Sequence, residues 1–231
     1  LKKDKINNKV ILITILVPHQ LAKSLTEPGS YIFMRNPKTT QYYDCPISVM
    51  DVSIDENTLT LAIELKGIKT KMIDKLQEED RVLVRGPYWN GDLGLKNISS
   101  SKEGISILIA RGIGQAPMIP VLKKLYANGN KTIVIMDSGN YKNMFVQKHL
   151  EMCNATVINC CTFKNGELTE ELKSLLTDLI SKEKPNLIHC SGADILNYKV
   201  LEFLGDTIKF SCCNNAKMCC GEGVCGACAT R

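Results

Sequence analysis

The residues best able to do chemistry are the cysteines at the end of the chain. Six of the eleven cysteines fall within residues 211–231. Cys220, Cys225 and Cys228 stand as C-x4-C-x2-C, the opening of a plant-type [2Fe–2S] spacing in which a fourth cysteine follows. A cluster needs thiolates converging on two irons, so the backbone has to wrap tightly around it. Gly221, Gly223 and Gly226 let the chain curl without Cβ clashes and let N–H groups approach the sulfides. A zinc ribbon uses two C-x2-C knuckles, and this segment has one, Cys225 and Cys228. A disulfide framework would need an oxidising compartment. The spacing favours iron–sulfur over zinc, with a metal-free cysteine tail as the remaining reading. The sequence ends three residues after Cys228. The fourth ligand is therefore expected beyond Arg231, or else Cys212, Cys213 or Cys219 substitutes. The chain opens on Leu1 and looks trimmed at both ends.

Two glycine turns could hold phosphate. Arg111-Gly112-Ile113-Gly114-Gln115-Ala116-Pro117 follows an apolar strand pattern and precedes a helical one. Glycines there permit a tight turn, and the helix start offers free N–H groups to an anion. The third glycine of the full dinucleotide fingerprint is missing, so a plain strand-to-helix turn carries equal weight. The second turn is Lys66-Gly67-Ile68-Lys69-Thr70-Lys71, where Thr70 could cap a short helix beside an anion; a lysine-decorated loop is the simpler reading. Pro46-Ile47-Ser48 opens a strand whose hydroxyl could meet a planar ring or a ribityl chain. Of the histidines, His19, His149 and His189, none has a partner at metal or triad spacing. His149 is expected on a helix surface. His189 and Cys190 end a buried strand; a buried structural pair is the simpler reading, while Cys190 is also placed to line a cofactor pocket. Tyr88 and Trp89 read as core or interdomain packing. No catalytic acid–base set is apparent.

The elements that must position these groups change texture near residue 100. Strands are expected over 9–17, 30–35, 46–53, 58–65 and 81–85, with a helix over 70–76 and a turn at Gly86-Pro87. This implies an antiparallel β-barrel or sandwich. From Gly104 onward strands and helices alternate: strands at 105–110, 132–136, 155–160, 186–190 and 207–210, helices at 118–125, 143–152, 167–180 and 194–204. Alternation of this kind gives a doubly wound parallel sheet. The polar stretch 96–102 is the expected boundary. The reading is a barrel domain over 1–98, an α/β domain over 103–210 and a cysteine-rich segment over 211–231.

Composition bounds the rest. The chain has 231 residues, 44% hydrophobic and 23% charged, with a net charge of +5. That suits a globular protein of two small domains. Lysines are scattered, which argues against nucleic acid. The longest apolar run, Val10 to Val17, is too short to span a bilayer. An odd number of cysteines without a signal-peptide pattern points to a reducing cytoplasm.

Taken in order, the barrel, Pro-Ile-Ser, Gly-x-x-Thr, Gly-Pro, Gly-x-Gly-x-x-Pro and terminal C-x4-C-x2-C resemble the ferredoxin–NADP reductase superfamily. The resemblance is strongest to the electron-transfer subunits of dihydroorotate dehydrogenase, and to the small subunits of sulfide dehydrogenase and NADH-dependent ferredoxin–NADP oxidoreductase. It implies FAD on the barrel, with Pro46, Ile47 and Ser48 near its ring and Gly67, Lys69 and Thr70 at its pyrophosphate. It implies NAD(P) at Gly112, Gly114 and Pro117, a [2Fe–2S] cluster on Cys220, Cys225 and Cys228, and a catalytic oxidoreductase subunit as heteromeric partner. The chain departs from the family at three places, one being the late Cys-Gly-Pro element, which stands here as Cys190-Ser191-Gly192-Ala193. Cys45, preceded by Asp44, stands where an arginine usually precedes Pro-Ile-Ser, and Arg111 stands where a glycine is common. These departures keep a second reading in view: a structural or regulatory subunit that retains the fold without FAD or NAD.

Overall fold

The computed structural model describes residues 1–39, 44–137 and 145–228. The chain forms two compact units, one comprising Leu1–Gly91 with Asn215–Arg231 and the other Asp92–Asn214. The polar stretch expected as a linker is instead largely helical, and the units divide before it.

The first unit contains β1 (Lys2–Lys5), β2 (Val10–Leu16), α1 (His19–Ser24), β3 (Tyr31–Arg35), β4 (Cys45–Ser48), β5 (Asp51–Ser53), β6 (Thr58–Glu64), α2 (Ile68–Ile73) and β7 (Leu83–Tyr88). Its strands form two antiparallel sheets, ordered β1-β2-β6-β5 and β4-β3-β7. In the β2–β6 ladder Ile11 lies opposite Ile63, Ile13 opposite Leu61 and Ile15 opposite Leu59. Because side chains alternate along a strand, these six all point inward, and they join Ile32, Met34, Cys45 and Ile47 of the other sheet in one core. The single strand expected over 46–53 is two strands in different sheets. The Val49 N–H donates to Ser30 O at 3.0 Å and the Met50 N–H to Thr60 O at 3.0 Å, so the chain changes sheets across adjacent residues. Gly86-Pro87, expected as a turn, lies inside β7.

The second unit contains β8 (Asp92–Leu93), α3 (Leu95–Ser100), β9 (Ile105–Arg111), a 3₁₀ turn at Gly112–Gly114, α4 (Gln115–Ala127), β10 (Lys131–Asp137), α5 (Gln147–Met152), β11 (Thr156–Asn159), β12 (Phe163–Lys164), β13 (Glu167–Leu168), α6 (Glu170–Glu183), β14 (Leu187–Ser191), α7 (Asp194–Leu204) and β15 (Phe210–Cys213). One sheet runs β11-β10-β9-β14-β15-β8; it is parallel from β11 to β15, with β8 antiparallel at the edge. Ile107, Leu108, Ile109 and Ala110 of β9 are all fully buried, as a strand covered on both faces must be. The helix expected from Glu167 begins later, at Glu170, because Asn165 and Gly166 take positive φ (52° and 84°) and close a β12–β13 hairpin first. Asn-Gly is the sequence signature of that turn. Thr169 then caps α6, its hydroxyl accepting from the Leu172 N–H at 3.2 Å. The expected helix over 143–152 is seen from Gln147; residues 143 and 144 lie outside the described residues.

Leu61 is fully buried in the first unit's core, whereas Leu16 at the end of β2 is 74% exposed. Leu61→Ala should destabilise the protein by about 2–5 kcal/mol, and Leu16→Ala by less than about 0.5 kcal/mol. Urea unfolding of the two variants checks this.

Candidate functional site

In the first unit the sequence-marked groups meet at Asp44. Along β4 the side chains alternate: Cys45 and Ile47 are buried, while Pro46 and Ser48 are half-buried. Asp44, just before this strand, receives two guanidinium groups through its carboxylate. Arg35 Nε lies 3.2 Å from Oδ1, and Arg85 Nε lies 3.1 Å from Oδ2. The Lys69 ammonium donates to the Asp44 carbonyl at 3.0 Å. Burial pushes the Cys45 thiol up, against a lowering pull from Lys69. Gly67, not Thr70, occupies the cap position of α2. Thr70 reaches back from inside the first turn, accepting from the Gly67 N–H at 3.2 Å and donating to its carbonyl at 3.1 Å. Space around Gly67 is open, with no atom within 4 Å of where a Cβ would stand.

The cysteine loop lies on the aromatic face of β3 and β7. Tyr31 stacks on Tyr88 at 5.2 Å, and Phe33 meets Tyr88 edge-on at 5.3 Å. Gly221 rests on Phe33: with φ +73°, an added Cβ would sit 2.5 Å from the ring. Glu222 accepts from the Tyr88 hydroxyl at 2.8 Å and pairs with Arg85. The Tyr31 hydroxyl donates to Asn90 Oδ1 at 2.7 Å and lies 3.4 Å from Met218 Sδ. Burial raises the Tyr31 phenol, reinforced by the negative charge of Cys228 and Glu222 nearby.

Within the loop, Cys220 sits in a nest of donors. The Glu222 N–H donates to its sulfur at 3.3 Å. The N–H of Cys225, that of Glu222, the Cys225 side chain and the Val224 N–H together pull the Cys220 thiol down to about 6. A thiolate stabilised by backbone donors on a glycine-rich loop is the chemistry a cluster ligand needs, and Cys220 fits it, with the Cys225 side chain beside it. Among the described residues, no three His, Cys, Asp or Glu side chains converge on one ion position. Cys228 adjoins Tyr31 rather than closing such a set. Cys212 and Cys213, considered above as substitute ligands, are buried β15 residues. Cys213 Sγ accepts from the Gly192 N–H at 3.3 Å and donates to Gly192 O at 3.3 Å.

In the second unit the Gly112–Gly114 turn leads from β9 into α4. Gly112 has φ +59°. Gly114 packs so closely that a Cβ would stand 2.1 Å from Ser191 O, and the Ser191 hydroxyl donates to Gly114 O at 2.7 Å. Pro117 sits in the first turn of α4, where its missing N–H leaves no intrahelical bond unmade. Gln115, which the sequence did not single out, is fully buried at the start of α4, and its amide has no hydrogen-bond partner among the described residues. Arg111 is not idle in place of a glycine. Its Nε pairs with Asp137 Oδ2 at 3.1 Å, the oxygen that also accepts from the Thr162 N–H and hydroxyl at 2.8 and 2.7 Å. Cys190, expected at a pocket wall, is fully buried between β9 and β15 and offers no surface to a ligand. His189 beside it is equally buried, with Nδ1 3.0 Å from Ser211 Oγ. His149 is half-buried rather than exposed. Trp89, expected in packing, is 51% exposed and donates from Nε1 to Ser24 O at 2.8 Å.

No family model matches the chain. Among known structures, that of NADH-dependent reduced ferredoxin–NADP oxidoreductase superposes with a TM-score of 0.76 at 22% identity, covering 99% of this chain and 79% of that one. Ferredoxin–NADP⁺ reductase from Plasmodium falciparum gives a TM-score of 0.60 at 16% identity over 91% and 89% of the two chains. The chain has the ferredoxin–NADP reductase fold. In sequence it resembles the electron-transfer subunit of dihydroorotate dehydrogenase B (NAD(+)) from Bacillus velezensis, 24% identical over 92% of this chain and 80% of the relative. The probable counterpart from Pyrococcus furiosus is 28% identical over 87% and 73%. No helix among the described residues is long and apolar enough to cross a membrane.

Two outcomes follow from this geometry. Gly114→Ala should destabilise the second unit by more than about 2 kcal/mol, since backbone must move, while Gly67→Ala should fall within about 1 kcal/mol; thermal unfolding distinguishes them. Burial also holds the His189 imidazole at about 3, below its ordinary 6.5. The unfolded chain takes up a proton near pH 6.5 that the folded chain refuses until about pH 3. Stability therefore falls as pH drops through that window, by about 1.4 kcal/mol per unit. His189→Gln should remove this slope from urea unfolding measured between pH 6 and pH 4.

Proposed function

We propose that this chain is the electron-relay subunit of a heteromeric oxidoreductase, moving electrons between a nicotinamide nucleotide and a partner subunit. The observation that carries the reading is the convergence at Asp44. The start of the Pro46-Ile47-Ser48 strand, the Gly67–Thr70 turn and the cysteine loop are tied to that residue through Lys69 and Arg85. FAD, if bound, would supply hydride exchange with a nicotinamide and a [2Fe–2S] cluster would supply one-electron transfer, so the hard chemistry would belong to the cofactors.

The chain's own residues bind and orient. Pro46 and Ser48 would border the flavin ring, with Ser48 offering its hydroxyl, whereas Ile47 faces the core. Gly67 leaves room for a close approach of the diphosphate, and Lys69 and Thr70 supply charge and a hydroxyl there. In the second unit the nicotinamide nucleotide would be taken by the turn of Gly112, Gly114 and Pro117. Cys220, Cys225 and Cys228 are the residues that would ligate a cluster, for which Cys228 has to leave Tyr31 and join the other two. No side chain is required as general acid or base. The similarity to dihydroorotate dehydrogenase B subunits favours a catalytic oxidoreductase subunit as the partner. Cys45, at a position where the family usually has arginine, favours a second reading, a structural subunit that keeps the cluster and has lost the flavin.

An anaerobic absorption spectrum with iron and sulfide assays tests the reading. Flavin bands together with about two irons per chain, bleached by NADH or NADPH, are expected. Cys220→Ser should remove the iron and leave the flavin bands. Iron without flavin selects the structural-subunit reading, and zinc in place of iron overturns the assignment of the cysteines.

A further inference from the structure

We infer that Arg111 makes the second unit selective for a nicotinamide nucleotide bearing a 2′-phosphate on its adenosine ribose, NADP(H) rather than NAD(H). This inference rests on the nucleotide reading of the second unit above and names the substrate class of that site. In an open α/β sheet the ligand crevice lies outside the carboxyl ends of the strands, where the strand order reverses. The order β11-β10-β9-β14-β15 reverses between β9 and β14: β9, β10 and β11 follow one another outward on one side, β14 and β15 on the other. Arg111 ends β9 and Gly192 follows β14, and a Cβ added to Gly192 would stand 3.5 Å from the Arg111 Cβ. Arg111 is therefore rooted at the crevice. The residues beside it fit a dinucleotide. Gly112 turns the chain at φ +59°, and Gly114 is packed too tightly for a side chain, as the βα turn of a dinucleotide site requires.

From that root the side chain runs along the carboxyl edge toward β10. Asp137, the last residue of β10, is the register partner of Arg111, so the two side chains share a face. The end of this second strand is where such folds read the adenosine ribose: an acidic residue takes the 2′-hydroxyl of NAD, and an arginine accommodates the 2′-phosphate of NADP. This chain places both residue types there, and exposure decides which one meets a ligand. The Asp137 side chain is 8% exposed and that of Arg111 36%. Asp137 Oδ2 already accepts from Arg111 Nε at 3.1 Å, from the Thr162 N–H at 2.8 Å and from the Thr162 hydroxyl at 2.7 Å. Its charge is met from within, and what reaches solvent is the guanidinium, which lies 5.9 Å from the centre of the Phe163 ring. With Nε committed to Asp137, the two terminal nitrogens are the donors left for a phosphate, in a planar fork that suits its oxygens. Arg111 is the specificity-determining residue, and Asp137 a positioning residue that acts through it.

The test is a binding measurement on the purified full chain and needs no electron transfer. Isothermal titration calorimetry compares adenosine 2′,5′-bisphosphate with adenosine 5′-monophosphate, which differ only in the 2′-phosphate. The parent should bind the bisphosphate about tenfold or more tightly, the worth of one charge-assisted contact, and the ratio should shrink as salt is raised. Arg111→Gln should bring the ratio close to one through loss of bisphosphate affinity, with the monophosphate little changed. Arg111→Lys should keep part of the preference, since an ammonium carries the charge without the fork. Equal affinity of the parent for the two compounds, or a ratio that survives in Arg111→Gln, overturns the inference and leaves the nucleotide reading standing. Binding of neither compound by the parent overturns the nucleotide reading, and the inference with it. Should Arg111→Gln fail to fold because Asp137 loses its partner, Arg111→Lys decides in its place: an undiminished ratio there refutes the inference.

Discussion

The first unit is built around a corner. Between Ser48 and Asp51 the chain leaves one sheet for the other, and the N–H groups of Val49 and Met50 bond carbonyls on opposite sides of that divide. Both side chains are buried, so the corner is held by apolar packing as well as by paired backbone groups, each of which would be expensive to leave unmet in the core. This fixes where β4 starts as firmly as where it ends. With β4 in register on β3 from Tyr31–Ser48 to Met34–Cys45, Asp44 must lie beside the end of β3. There Arg35 emerges, and β7 delivers Arg85 alongside. The ion pairs at Asp44 are a consequence of this register. As half-exposed contacts each contributes little to stability, of order 1 kcal/mol or less. Their importance lies in where they place charge.

Much of this was legible in the sequence because burial leaves a periodic trace. The alternation of Leu59, Leu61 and Ile63, and the unbroken apolar run from Ile107 to Ala110, separate a half-buried strand from a doubly covered one on pattern alone. The glycine turns and the cysteine spacing are similarly local. What was not legible depends on partners distant in the chain. β1 is a run of lysines and an aspartate with no apolar pattern; it becomes a strand because β2 offers an edge and because Lys3 Nζ donates to the Asp74 and Leu76 carbonyls at 2.7 and 2.8 Å. The role of Arg85 required knowing that residues 44 and 222 meet it. Gln115 gave no signal because a glutamine at a helix start is ordinary until its burial is seen. The Asn165-Gly166 hairpin, by contrast, carried its own signature and was masked by the helical pattern that follows it.

A cysteine at position 45 has a physical logic. The residue preceding Pro46 faces inward in this chain, with Cys45 packed into the core beside Met34 and Ile47. Its thiol is pushed up by burial, so it stays neutral. An arginine with its side chain directed into that core would have to be desolvated without a partner, at a cost of several kcal/mol. The positive charge at this end of β4 instead arrives from three neighbouring elements: Arg35 on β3, Arg85 on β7 and Lys69 in the first turn of α2. All three reach Asp44 from the solvent side. Against them stand two carboxylates, Asp44 and Glu222, so the cluster of side chains carries net positive charge. Positive charge at this end of β4 is thus supplied by side chains that are at least partly exposed, where a charged group keeps much of its hydration. An anionic group arriving beside the Gly67 turn would meet that surplus of positive charge, and the carboxylate of Asp44, already engaged by two guanidinium groups, would repel it less than an unpaired one.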